Sequence, residues 1–136
     1  MNAWTKSCGC VILLMALAGT PSPAAAGPYD GSRPLLCAVT ANVECAAAGQ
    51  CERHIATDET APAILKFDVA GQTVTTGTAR KSPIKSVTRL DGQLILQGSE
   101  DGRGWSATID EDTGRMAVST VDNDYTFSLF GACSLP

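Results

Sequence analysis

Histidine occurs once in this chain, at His54, and that scarcity removes most nucleophile and base chemistry at the outset. A serine or cysteine nucleophile needs a base positioned by a third group. No serine stands in a Gly-x-Ser-x-Gly frame, so His54 reads as a solvated residue of a loop. Aromatic residues are also few, at 5% of the chain. That leaves neither a sugar-stacking cleft for a pair of acids nor a platform on which bases could stack. The acids Glu100, Asp101, Asp110, Glu111 and Asp112 are runs of neighbours, which suits turns better than a catalytic pair held apart across a cleft.

Positive charge is in short supply: 10 Lys and Arg stand against 14 Asp and Glu, a net charge of -4. The basic residues are scattered apart from Arg80, Lys81 and Lys85, a distribution that does not hold a nucleic-acid backbone. There is no Cys-x-x-Cys knuckle, and His54 is remote in sequence from Cys133, which argues against zinc. Asp110, Asp112 and Gly114 resemble the start of a calcium loop, but the glycine comes one step early and Thr120 stands where the bidentate glutamate belongs. Gly98, Gly102 and Gly104 precede no Lys-Ser/Thr pair and so form no phosphate loop. The expectation is no catalytic residue, no metal and no cofactor. Nor is there a long apolar run: residues 11–18 make eight, against about 20 needed to cross a bilayer as a helix.

That short run does have the setting of an export signal. Lys6 precedes it, small residues ending in Ala24, Ala25 and Ala26 follow it, and cleavage is expected after Ala26. Thr20 occupies the place where a lipoprotein box would need cysteine, so no lipid or membrane anchor is expected after cleavage. The remaining 110 residues are enough for one domain. We read 27–34 as a flexible leader and 35–136 as a single all-β domain. Its acidic balance, -5 once Lys6 is gone, serves solubility.

Six cysteines become four when Cys8 and Cys10 leave with the signal. An even number in a small exported chain reads as a disulfide framework, with three connectivities open. From 35 to 45 every odd position is small or apolar, including Cys37, Val39, Ala41 and Val43, the period of a strand with one buried face. Thr40, Asn42 and Glu44 would then face water. Residues 46–50 suit a single helical turn, and 52–62 a surface loop. Short β-type runs follow at 63–69, 73–78, 84–90, 94–98, 105–110, 115–121 and 125–131, divided by turn residues such as Asp91-Gly92.

Such short connections favour antiparallel neighbours, hence a meander of about eight strands. Tyr125, Phe127, Leu129 and Gly131 share a face that Cys133 continues. A Cys37–Cys133 bond would therefore tie the first strand to the last and close a small barrel, leaving Cys45 and Cys51 to staple the alanine-rich loop. A two-sheet sandwich is the alternative. The threonine-rich run 73–78 is expected as an exposed edge strand. Trp105 shares a face with Ala107 and Ile109 and reads as core.

Leu35-Leu36-Cys37-Ala38-Val39, Leu94-Ile95-Leu96-Gln97-Gly98, Gly104-Trp105-Ser106, Thr113-Gly114-Arg115-Met116 and Phe130-Gly131-Ala132-Cys133 together resemble a family of short exported proteins, chiefly of alphaproteobacteria, that has no assigned function. The resemblance spans nearly all of 27–136 and implies a periplasmic or secreted setting in a Gram-negative bacterium. It transfers no catalytic residue. The expected role is a non-enzymatic module that binds a small ligand or a periplasmic protein through loops at one barrel end. An inhibitor of a hydrolase such as a lysozyme or protease is the alternative. The candidate binding loop is 99–104, with Ser99, Glu100, Asp101, Arg103 and Trp105 as its contact residues. A hollow interior would favour a small ligand, and a packed one would remove the room for it.

Overall fold

Strand-forming runs separated by tight turns give nine strands in a computed structural model that describes residues 27–57 and 61–136. They are β1 (Leu35–Ala46), β2 (Cys51–His54), β3 (Ile64–Asp68), β4 (Thr73–Thr76), β5 (Lys81–Leu90), β6 (Gln93–Glu100), β7 (Arg103–Asp110), β8 (Arg115–Val121) and β9 (Tyr125–Ser134). The expected export signal, 1–26, lies outside the described residues. Every pairing is antiparallel, in the order β1-β3-β4-β5-β6-β7-β8-β9, and β9 pairs back onto β1. The meander is thus a closed eight-strand barrel with β2 as a ninth, added strand, and not a sandwich.

Closure runs from Leu36–Ser134 to Ala46–Tyr125, and Cys37 and Cys133 are direct register partners joined by a disulfide. The second disulfide joins Cys45 to Cys51, its α-carbons 4.1 Å apart. Closure also corrects the expectation for 73–78. Thr73–Thr76 is paired on both sides, by β3 and by β5, so it is an inner stave with Val74 buried.

Two β-bulges break the simple alternation, at Thr40 in β1 and at Lys85 in β5. An extra residue moves the following side chains to the opposite face. In β1, Leu35, Cys37 and Val39 point inward, but beyond the bulge the buried residue is Asn42, fully covered, where the period of two had placed it in water. Among the described residues neither amide atom of Asn42 has a hydrogen-bond partner. At the bulge Thr40 donates its hydroxyl to the Phe130 carbonyl at 3.1 Å. Gly131 is required here, because a Cβ would overlap the Ala38 carbonyl oxygen of the facing strand.

The segment 46–54 also differs from expectation. There is no helical turn: Ala46 N–H donates to the Gln50 carbonyl, Gly49 takes a φ of +83°, and Cys51–His54 returns along β1 opposite Asn42 to Cys45. β3 covers only Leu35–Ala38 of that edge, so β2 fills the backbone groups β1 extends beyond it. Cys-Glu-Arg-His carries no apolar alternation, which is why it reads as loop. Its charged side chains also suit the free edge it presents.

Residues 27–34, expected as a flexible leader, lie across one end of the barrel. Tyr29 N–H donates to the Glu111 carbonyl at 3.0 Å, and the Arg89 guanidinium donates to the Asp30 carbonyl through Nη2 at 2.9 Å. Arg89 Nε is also 3.8 Å from the buried Glu111 carboxylate. The Tyr29 ring lies against Gly114, and Gly31 is buried beside Val69 and Leu94. These contacts seal the end to which the turns at 91–92 and 111–114 belong.

The two disulfides close chain segments of very different length, 96 and 6 residues. On the chain-entropy model the Cys37→Ala/Cys133→Ala pair is expected to cost about 4 to 5 kcal/mol of unfolding free energy and the Cys45→Ala/Cys51→Ala pair about 2 kcal/mol. Urea denaturation of both variants measures the difference, and equal losses would contradict a seam held by the longer link.

Candidate functional site

The barrel is filled unevenly along its axis. Near the sealed end Leu35, Cys37, Leu94, Leu96, Ala107 and Ile109 are wholly buried. Toward the other end the inward positions turn polar: Thr76 follows Val74 by two, Ser82 precedes Ile84 by two, and Thr120 follows Val118 by two. Here the interior opens into a cavity of about 230 Å³. Leu65, Phe67, Val74, Val118 and Leu129 form its apolar depth. Thr76, Arg80, Ser82, Glu100, Arg103, Thr120 and Phe127 ring its mouth, with Ala61 and Pro62 along one side.

Trp105 lines the same cavity while packing against the core. Its indole Nε1–H donates to Ser82 Oγ at 2.8 Å, which satisfies its polar edge and fixes the ring across β6. The residue directly opposite is Gly98. A Cβ there would overlap the indole ring and the Pro83 carbonyl oxygen, so the missing side chain is what gives Trp105 its place.

Two arginines at the mouth are braced from outside. Arg80 Nη2 donates to Asp101 Oδ2 at 2.6 Å and its Nε is 3.7 Å from Glu100 Oε1. Arg103 donates through Nε to Asp122 Oδ2 at 3.2 Å, and its guanidinium lies 6.0 Å from the centre of the Phe127 ring, within reach of a cation–π contact. Asp122 in turn accepts the backbone N–H groups of Asp124 at 2.9 Å and Tyr125 at 2.7 Å. Those amides, followed by Arg103, hold its carboxyl below the usual aspartate range. The brace is therefore ionised at neutral pH.

Of the residues selected from the sequence, Glu100, Arg103 and Trp105 line the cavity. Ser99 and Asp101 do not: Ser99 Oγ accepts from Lys85 Nζ at 2.6 Å, and Asp101 sits on the exposed tip, where it holds Arg80. Asp101 and Gly102 both have positive φ, so the loop is a tight two-residue turn. Sequence reasoning missed Thr76, Arg80, Ser82, Thr120 and Phe127 as partners in one site. Continuing each strand's period of two beyond its last core residue would have placed Thr76, Thr120 and Phe127 on the inner face.

His54 is not in a loop but on β2, half-buried, with Nε2 3.8 Å from Glu52 Oε2. Asp110, at the sealed end, accepts from Thr113 N–H and Oγ1, both at 2.8 Å, and from Gln93 Nε2 at 3.0 Å, which makes it a turn builder. Among the described residues no three His, Cys, Asp or Glu side chains gather as metal ligands. Comparison of the chain with family models, curated proteins and solved structures finds no match.

Gly98→Ala is expected to displace the indole and cost about 1 to 3 kcal/mol, the usual penalty for overpacking. In a chain carrying Trp4→Phe, where Trp105 is the sole tryptophan, its emission should move to longer wavelength; unchanged emission would contradict the role given to Gly98.

The lowered carboxyls of Asp110 and Asp122 fix the sign of an acid dependence. Below the ordinary value of 3.8 the unfolded chain binds more protons at these sites than the folded one, so stability falls as pH drops through their lower folded values. Asp122→Asn is expected to flatten this slope in unfolding curves recorded from pH about 5 downward, and an unaltered slope would discount the carboxylate.

Proposed function

We propose that this chain is a non-enzymatic binding module of the periplasm or the secreted space, holding a small and largely apolar molecule at the open end of its barrel. The observation that carries this reading is the apolar-floored cavity of about 230 Å³ beside Trp105. A dry apolar cavity of about 150 Å³ is enough for benzene, while drug-sized ligands occupy about 300 Å³ or more. The space therefore suits a body of about six to ten carbons at interior packing density.

Two disulfides fit an oxidising compartment. The tight turn at Asp101-Gly102 is a poor probe for an enzyme's cleft, and its flanking residues Glu100 and Arg103 turn toward the cavity, which favours a small ligand over hydrolase inhibition.

Thr120 stands at the mouth directly opposite Trp105 on the neighbouring strand. Thr120→Phe should block entry without disturbing the deeper packing. Calorimetric titration with toluene and with octanol is expected to show saturable one-to-one binding that weakens at least about tenfold in Thr120→Phe, a loss of about 1.4 kcal/mol, at an unchanged urea midpoint. Absence of saturable binding by both compounds would overturn the reading, as would hydrolytic turnover that depends on His54.

A further inference from the structure

We infer that the occupant of this cavity is a small amphipathic acid, with its apolar body in the floor and one carboxylate at the mouth against Arg103 and Arg80. The inference rests on the reading of the cavity as a binding site and names the chemistry of its ligand.

Among the described lining residues the deeper ones, Leu65, Phe67, Val74, Val118 and Leu129, are all apolar, and the buried amide of Asn42 beside Leu129 does not reach the cavity surface, so a buried head group would find no partner in the walls. At the mouth, the Ser82 hydroxyl already accepts from Trp105, and Thr76 Oγ1 is engaged with Thr78 at 3.0 Å. Glu100, the one acid on the lining, stands 3.7 Å from Arg80 Nε, an ion pair beyond hydrogen-bond length, and its carboxylate remains an acceptor at the mouth.

What is left over is mostly donors. Arg103 uses Nε for Asp122, and among the described residues its two terminal amino groups bond to nothing. Those two groups form the flat outer edge of the guanidinium, the edge that matches a carboxylate with two parallel hydrogen bonds. Arg80 binds Asp101 through Nη2, which leaves Nη1 on its own outer edge. Both arginines are about half exposed, at 49% and 48%, and both are steadied by acids on the side away from the cavity.

A head group here meets three unengaged guanidinium amino groups on Arg103 and Arg80, against the Glu100 carboxylate and the Thr120 hydroxyl as acceptors. An acceptor-only, planar anion satisfies that pattern. A hydroxyl would use it only in part, and an ammonium would meet two guanidinium groups of its own sign.

The lining itself has two cations and one anion, Arg80, Arg103 and Glu100, while Asp101 and Asp122 stand behind the arginines. These five groups, two cations and three anions, sum to -1, so an anion is held here by the outward guanidinium edges above an apolar surface and not by net charge. The acids behind them set the arginines in position and keep affinity for a bare anion low. Selectivity therefore requires the apolar body and the carboxylate in one molecule.

The test uses the full chain with Trp4→Phe, so that Trp105 alone reports, titrated at neutral pH with octanoate, octanol, octylamine and acetate. Octanoate is expected to bind about tenfold more tightly than octanol, within the range for a charge-assisted hydrogen bond, and acetate not measurably. Arg103→Gln should remove the advantage of octanoate while leaving octanol binding as it was, and Arg80→Gln serves as a second variant should the first shift the urea midpoint. Equal binding of octanoate and octanol, insensitive to both substitutions, would overturn the acid while the cavity reading stood. Tightest binding by octylamine would overturn it in favour of Glu100. Failure of all four compounds would remove both readings.

Discussion

Ten residue pairs join β1 to β9, and this seam converts a meander into a barrel. An open meander of the same strands would present two unpaired edges and an apolar face with nothing to cover it. Once the first and last strands meet, that face becomes an interior. Cys37 and Cys133 are adjacent across the seam near the sealed end, and both are buried, so the covalent link and the hydrogen-bonded one enforce the same register. The bulge at Thr40 lies within the seam, and Gly131 lets the two backbones come together there. The cavity depends on this closure, because its lining is drawn from seven of the eight staves, β3 to β9, and β9 is held in place by β1.

The two ends of the barrel are built from different chemistry. At one, the chain entering β1 crosses the opening, and the Tyr29 N–H donating to the Glu111 carbonyl and the Arg89 guanidinium donating to the Asp30 carbonyl hold it down over a tightly packed floor. At the other, threonines, serine and braced arginines stand where core residues would be, and the space they leave is open. Asn42 is the exception on the inner face: an amide wholly buried without a partner among the described residues, in a position the bulge has turned inward. The common cause of these features is the phase of each strand, which decides whether a residue meets the interior or the solvent.

Phase was also the limit of what could be read from residues alone. The seven runs after Pro62 are legible because branched and aromatic residues alternate between turn dipeptides, and each corresponds to a strand within a few residues. The cysteines completed the topology, since the faces of Cys37 and Cys133 pointed to a first-to-last link. A bulge leaves no comparable mark. One inserted residue at Thr40 reversed the expected sides of Asn42 and its neighbours, because local periodicity cannot register where a partner strand slips. β2 was hidden for another reason: Cys-Glu-Arg-His becomes a strand by filling the edge β3 leaves vacant on β1, a condition set by distant segments. The candidate loop supplied Glu100, Arg103 and Trp105, but Arg80, Ser82, Thr120 and Phe127 join them only through closure.

One end is stoppered by the polypeptide itself, and this governs traffic through the interior. The barrel is a cul-de-sac and not a conduit. Whatever lodges in it must back out by the route it came in, and no successor can approach from behind to push it free. For a ligand of the kind proposed, exchange would be strictly ordered, departure before arrival, with a residence time that a competitor in solution could not shorten.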